Sequence, residues 1–199
     1  MLINVGGLEQ LVQLLDGQVI AVNPLNGDLQ WKIPFRAQYS IAVSQPVRTG
    51  DILFVSAEYD AGAKGIRLTR EGNHVKAVEA WSSNRLRLHH GNAMYIDGAL
   101  YFSSGGKGSV ALLTAIDAAT GKIHWQERTI SKATLLWADN KLIALHQDGD
   151  LVLIDPSPKG LKIVSRASLL TSLAWTPPSV AGTTPYLRDR RSMMAVDLG

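Results

Sequence analysis

An eleven-residue pattern occurs twice without a gap, and no other feature limits the fold of this chain so strongly. Residues 21–31 and residues 115–125 both read Ala-x-(Asp/Asn)-x-x-x-Gly-x-x-x-Trp. Their third positions, Asn23 and Asp117, are 94 residues apart, which is twice 47. A pattern that returns at a regular spacing indicates a chain built from repeated structural units.

Three less regular copies extend the repeat along the whole chain. Residues 153–160 carry Asp155 and Gly160 with one residue inserted before the glycine, and residues 195–199 begin another copy at Asp197. Residues 65–81 form a divergent copy that ends in Trp81. The unit therefore recurs about every 40 to 47 residues, which is the length of a four-stranded propeller blade.

Each position of the pattern has a physical role in a β-hairpin. The short side chain of Asp or Asn can bond its own backbone and start a turn after a strand. The glycine supplies the positive φ that the turn needs. The tryptophan then lies on the returning strand, where its ring can fill the wedge between neighbouring sheets.

The other half of each unit predicts hairpins as well. Gly50-Asp51, Asp97-Gly98 and Asp139-Asn140 each precede a short β-rich run, the pattern of a tight turn followed by a strand. Only Leu8–Leu15 has a spacing that would also suit a short amphipathic helix. Its place in the repeat makes it a strand.

We therefore predict an all-β chain that folds as a β-propeller of four-stranded blades. Four blades are expected to be complete, and a fifth is expected to stop before its last strand. As a single domain, the blades cover approximately residues 1–35, 41–84, 91–130, 131–170 and 171–199.

Two arrangements of these four and a half to five blades remain open. We favour part of a larger, eight-bladed propeller, because a closed ring should end on a finished blade. The alternative is a closed five-bladed ring in which the N-terminal strand completes the last blade. In the first arrangement the end blades expose apolar faces, and two chains could pair through them as a homodimer.

Composition excludes several classes of function. The chain has no cysteine, so disulfides, thiolate catalysis and cysteine metal sites are absent. The net charge is +3, and the arginines around Asp189 are interpreted as a solvated turn, so no nucleic-acid partner is expected. Gly105–Gly108 lacks the spacing of a phosphate-binding loop and is interpreted as a hairpin loop.

The sequence shows no feature of membrane insertion. No uncharged apolar run approaches the roughly 20 residues of a membrane span. Residues 1–7 lack the basic and apolar segments of a signal peptide. On these grounds the protein is cytosolic, or the chain begins downstream of its real start.

The repeat resembles the tryptophan-docking motif of pyrroloquinoline quinone (PQQ) repeat proteins. Residues 88–91, 97–101, 175–178 and 186–189 are similar to the C-terminal half of bacterial PQQ-like propellers. The resemblance implies a periplasmic or extracytoplasmic protein of one of two kinds. Some members are dehydrogenases with PQQ and calcium on the propeller axis, and others are scaffolds, such as the propeller lipoproteins of the outer-membrane β-barrel assembly machinery.

The chain departs from the pattern of the enzymes in this family. The adjacent cysteines are missing, and no Glu, Asn and Asp set matches the calcium ligands. Asp117, Asp155 and Asp197 belong to the turn motif, and the motif tryptophans are assigned to packing between blades. We therefore expect no catalytic residue and no metal site, with PQQ and calcium as cofactors only if the chain is a dehydrogenase.

The expected function is that of a non-catalytic binding or scaffolding module for an unidentified protein or small molecule. A PQQ-dependent oxidoreductase and a sensor domain of a larger protein are the alternatives. Tyr39, His89, His90 and Trp175 lie in or beside segments that lead into the innermost strands, where propellers present residues to the axial channel. These four residues are the predicted ligand site, since loops on a rigid scaffold tend to carry function.

Overall fold

A computed structural model describes residues 1–105 and 110–197, without the side chain of His90. The described residues form nineteen strands and a single 3-10 turn at Gln38–Ser40. Most of the predicted loop Gly105–Gly108 and the last two residues of the final repeat lie outside the described residues. No helix in the described part of the chain is long and apolar enough to cross a membrane.

The chain divides into two compact units, described separately below. The first comprises Met1–His89 with Asp117–Lys122, and the second comprises His90–Ile116 with Ile123–Gly199.

The first unit contains two four-stranded antiparallel sheets whose strands pair in chain order. The strands of the first sheet are β1 (Leu2–Val5), β2 (Leu8–Leu15), β3 (Gln18–Val22) and β4 (Leu29–Pro34). The strands of the second sheet are β5 (Val47–Thr49), β6 (Ile52–Ala57), β7 (Gly62–Glu71) and β8 (His74–Ser83). Leu8–Leu15 is thus a strand, as the repeat predicted, and β1 is paired with β2.

Alternation of buried and exposed side chains shows how these two sheets pack. Along β2, Val12 and Leu14 are buried, whereas Leu11, Gln13 and Leu15 are exposed, the period of a strand with one covered face. Both join a core that also contains Leu53 and Val55 of the second sheet. The core of the first unit therefore lies between its two sheets.

The second unit continues the same plan with three sheets. The strands of the third sheet are β9 (Leu88–Ile96), β10 (Ala99–Ser104), β11 (Leu112–Asp117) and β12 (Ile123–Glu127). The strands of the fourth are β13 (Thr134–Ala138), β14 (Lys141–Leu145), β15 (Asp150–Asp155) and β16 (Lys162–Ser168). The strands of the fifth are β17 (Ser179–Ala181), β18 (Thr184–Arg188) and β19 (Met193–Ala195).

Two apolar clusters hold the second unit together. Tyr101 and Leu113 of the third sheet pack with Leu135 and Val152 of the fourth. On the other side of the fourth sheet, Leu145 packs in a second cluster with Leu187 of the fifth. The fourth sheet is consequently covered on both faces, as the blades of a propeller are.

The observed sheets confirm the prediction of an all-β, partial β-propeller. The predicted hairpin turns are present, with positive φ at Asp97 and Gly98 and at Asp139 and Asn140. One boundary differs, because β9 begins at Leu88 and not at Gly91. His89 and His90 therefore lie within a strand and not in a segment that precedes it.

Candidate functional site

Two of the predicted site residues meet in one aromatic cluster of the first unit. The ring of Tyr59 lies edge-on to Tyr39, with centroids 5.7 Å apart, and edge-on to His89, with centroids 5.2 Å apart. The His89 Nε2 atom and the Tyr59 hydroxyl are 3.1 Å apart and share a hydrogen bond. Tyr59 thus connects Tyr39 and His89, and sequence reasoning had not included it.

Local backbone geometry fixes the two tyrosines. Tyr59 and Asp60 both have positive φ in the hairpin turn between β6 and β7, and so do Tyr39 and Ser40 in the segment that precedes β5. Such angles cost free energy for a bulky residue and persist only where the surroundings hold them. The Gln38 amide donates a 2.8 Å hydrogen bond to the Tyr59 carbonyl oxygen, which ties the two turns together.

Polar groups border this cluster. The Ser40 hydroxyl donates to Asp16 at 2.8 Å, and Asp60 lies 3.6 Å from the Arg87 guanidinium. Glu58 is only 3% exposed, and its Oε2 atom has no hydrogen-bond partner among the described residues. An open cavity of about 380 Å³ is lined by Asp16, Arg36, Ala37, Gln38, Tyr39 and Ser40.

Trp175 lies in the second unit, in a comparable setting. Its indole N–H donates to the Gln147 side-chain oxygen at 3.4 Å, and the Arg190 guanidinium stands 5.1 Å from the ring centroid. The backbone is tied as well, since the Ala174 amide donates to the Gln147 carbonyl oxygen at 2.9 Å. Nothing is described for the side chain of His90.

A common rule underlies these contacts. In four sheets, a side chain at or beside the turn between the second and third strands bonds the segment that leads toward the next sheet. The four pairs are Asp16 with Ser40, Tyr59 with His89, Ser103 with Ala133, and Gln147 with Trp175. The sequence predicted the second member of two of these pairs, His89 and Trp175, and missed every first member.

The motif aspartates and tryptophans have structural partners. Asp117 accepts hydrogen bonds from the Thr120 amide and hydroxyl at 2.8 and 2.6 Å. The Trp81 indole donates to the Ala118 carbonyl oxygen at 3.2 Å, and the Trp125 indole donates to Ser157 at 2.8 Å. These contacts agree with the interpretation of both residue types as parts of turns and packing.

Among residues 1–105 and 110–197, no group of three or more His, Asp or Glu side chains is placed to hold a metal ion. The most perturbed carboxyl is that of Asp189, whose pKa falls to about 2 because it accepts hydrogen bonds from the backbone amides of Arg191, Ser192 and Ser172. That carboxylate organises a turn of the fifth sheet.

Comparison with known proteins agrees with the fold. The sequence model of a family described as Outer membrane protein assembly factor BamB matches residues 79–160. A quinohemoprotein alcohol dehydrogenase from Comamonas testosteroni superposes over 99% of this chain and 41% of its own, with 13% identity and a TM-score of 0.73. A europium-containing methanol dehydrogenase superposes over 86% of this chain and 42% of its own, with 15% identity and a TM-score of 0.55.

A third solved structure, BamB from Moraxella catarrhalis, has 11% identity and a TM-score of 0.48, with 98% of this chain and 67% of its own covered. No curated protein sequence matches the chain. The chain spans less than half the length of the two dehydrogenases. From its sheets and its repeated motif, the chain is a partial β-propeller, and its repeats are similar to those of PQQ-repeat proteins.

Proposed function

We propose that this propeller is a non-catalytic module that binds or scaffolds a protein partner. The observation that carries the proposal is the cluster of Tyr39, Tyr59 and His89 on turns with constrained backbones. Aromatic rings that are held in place cost little conformational entropy on binding and are favoured at protein interfaces. Tyr39 is 69% exposed and is therefore available to a partner.

The charges near the cluster favour a partner with hydrogen-bond donors. The carboxylates of Asp16 and Asp60 are hydrogen-bond acceptors beside the aromatic rings, and the guanidinium groups of Arg36 and Arg87 lie near them. An extended peptide segment with a basic residue has the matching chemistry.

Trp175 and Gln147 provide a second surface of the same kind in the second unit. The matched family is described as an assembly factor, which also points to protein partners. By the same similarity, we propose a periplasmic or extracytoplasmic location. His90 remains part of the proposed site on sequence grounds alone.

Site-specific photocrosslinking in the native host tests the proposal. A photoreactive phenylalanine analogue at Tyr39 or at Trp175 should give a discrete crosslinked protein band. The matched control is the same analogue at Val164, which is 52% exposed on the outer strand β16. Stronger crosslinking at Val164 than at Tyr39 and Trp175 would contradict the proposed position of the interface.

A separate assay tests the non-catalytic part. The purified chain is mixed with PQQ and calcium, and reduction of a redox dye is followed with methanol, ethanol or glucose as substrate. We expect no turnover above a blank that lacks protein. Robust turnover would favour a PQQ-dependent oxidoreductase instead.

A further inference from the structure

The docking tryptophans occupy one position of a row that crosses each sheet. In the second sheet, Phe54 of β6 pairs with Gly65 of β7, which pairs with Trp81 of β8. In the third sheet, Ala115 of β11 pairs with Trp125 of β12. A register shift follows Gly65 and Ala115 alike, so the two rows occupy equivalent places in the repeat.

A small residue in the middle of the row makes room for the indole. A Cβ atom on Gly65 would overlap the Trp81 ring. The ring then reaches an aromatic residue on the second strand: Phe54 and Trp81 have centroids 6.1 Å apart, and so do Tyr101 and Trp125. Two rings and one small residue therefore fill this part of the second and third sheets.

The fourth sheet breaks this arrangement at all three positions. Its row is Ile143 of β14, Leu153 of β15 and Ser165 of β16, and the same register shift follows Leu153. Isoleucine replaces the aromatic residue, leucine replaces the small one, and serine replaces the tryptophan. Leucine adds side-chain volume in the middle of the row, but no ring remains at either end.

A cavity of about 520 Å³ lies between the fourth and fifth sheets, beside the first two positions of this row. Ile143 and Leu153 line it from the fourth sheet, and Val180 lines it from the fifth, within the same unit. Its remaining lining residues are Ala138, Asp139, Lys141, Gly182 and Thr183. The volume falls in the range of about 300–1,000 Å³ that small-molecule sites occupy.

We infer that this cavity is a receptor for an indole ring supplied from outside the described chain. Apolar walls on the fourth and fifth sheets would cover the two faces of a planar ring, as neighbouring sheets cover a docked tryptophan. Asp139 and Thr183 stand among the lining residues, and their side-chain oxygens are acceptors of the kind that the indole N–H requires. The site is separate from the Tyr59 and Trp175 clusters and does not depend on the proposed function.

Indole itself is the probe for the experiment. Titration calorimetry with the full chain should give saturable binding, and NMR should show contacts from the indole protons to the methyl groups of Ile143 and Leu153. Absence of binding at millimolar indole, or contacts elsewhere on the molecule, would overturn the inference.

A double variant supplies the decisive comparison. Leu153→Ala with Ser165→Trp restores the small residue and the tryptophan of the other sheets. It should fill the cavity, raise the melting temperature and weaken indole binding at least tenfold. The matched control, Ser165→Ala, should bind indole as the unaltered chain does. Equal affinity in a folded double variant would refute the site, and the NMR contacts decide the matter if that variant does not fold.

A second ligand distinguishes a tryptophan side chain of a partner protein from a small aromatic molecule as the source of the ring. A blocked pentapeptide with a central tryptophan is titrated beside free indole. Binding of both ligands, in competition, would assign the cavity to a tryptophan side chain of a partner protein. Binding of indole alone would assign it to a small aromatic molecule.

Discussion

Two junctions of the second unit differ in how neighbouring sheets are joined. Between the third and fourth sheets, the Trp125 ring packs on Tyr101, and its indole N–H bonds Ser157 of the following sheet. Between the fourth and fifth sheets, the tryptophan position is Ser165, and a cavity of about 520 Å³ remains. The same backbone pattern therefore supports either a filled wedge or an open one.

The difference teaches that the motif has separable parts. The Asp and Gly positions build a turn, whereas the Ala and Trp positions act together across two strands. Ala115 pairs with Trp125, and Leu153 pairs with Ser165, so a small residue faces a large one in both cases. The leucine compensates only partly, because it cannot reach the next sheet as an indole does.

The largest effect is expected at the filled junction. Trp125→Ala removes a half-buried ring and the hydrogen bond to Ser157, and it should lower the free energy of unfolding by about 2–4 kcal/mol. Ser165→Ala at the open junction should change it by less than about 0.5 kcal/mol. Urea unfolding of both variants measures the difference. Similar losses in the two variants would mean that the indole does not hold the junction.

Substitutions at two motif glycines test how closely the Trp81 indole packs in the first unit. Gly27 and Gly121 both have positive φ, at 79° and 71°. A Cβ on Gly121 would come within 2.5 Å of the Trp81 ring, whereas a Cβ on Gly27 would meet nothing within 4 Å. Gly121→Ala should therefore cost about 1–3 kcal/mol more than Gly27→Ala, because only the first overpacks a contact.

Thermal unfolding of the two variants provides the measurement, with the strain of positive φ common to both. If they lose the same stability, the turn alone accounts for the glycine, and Trp81 does not depend on it.

The repeat was readable from sequence because turn chemistry leaves a local pattern. Asn23 and Gly27 repeat as Asp117 and Gly121, and the structure gives both glycines the positive φ that was predicted. The copy at residues 65–81 was harder, because its hairpin is longer: β7 runs to Glu71, and the turn follows at Gly72. Its equivalence to the other copies rests on the Gly65–Trp81 pair, which depends on register and not on spacing.

The sequence predicted one side of each contact in the candidate site but not the partner residues. Tyr39, His89 and Trp175 stand in or beside segments that the repeat places ahead of each innermost strand. Their partners Tyr59 and Gln147 stand in turns between other strands, 30 and 28 residues away from His89 and Trp175. No local pattern marks a contact that forms only when strands align, although the repeat would have shown that these turns are equivalent to each other.

Acid should loosen the fifth sheet, which borders the open junction. The Asp189 carboxylate accepts hydrogen bonds from the amides of Arg191, Ser192 and Ser172, and its pKa is lowered to about 2. In the unfolded chain, the pKa of an Asp carboxyl is about 3.9. Because the folded pKa is the lower one, the stability that the carboxylate contributes is present above about pH 4 and is lost as pH falls through about 2.

Unfolding of the chain and of Asp189→Asn is therefore compared from pH 5 to pH 2. The loss of stability over this range should be smaller in the variant, which has no carboxyl to protonate at this position. Identical pH profiles would show that the Asp189 carboxylate does not stabilise the turn.

The smallest effect belongs to a contact made by a hydroxyl and not by an indole. Tyr59→Phe keeps the ring between Tyr39 and His89 and removes the 3.1 Å hydrogen bond to the His89 Nε2 atom. The free energy of unfolding should fall by about 0.5–1.5 kcal/mol, the net value of a single hydrogen bond.

Tyr186→Phe is the matched control, since Tyr186 is 43% exposed and lies outside the cluster. Urea unfolding measures the stability of both variants, and NMR of the His89 ring tests whether the Tyr59 hydroxyl orients the imidazole. A shift of the His89 signals in Tyr59→Phe alone means that the hydroxyl orients the imidazole. Unchanged His89 signals would leave the cluster as ring packing only, and would remove the fixed imidazole from the proposed binding surface.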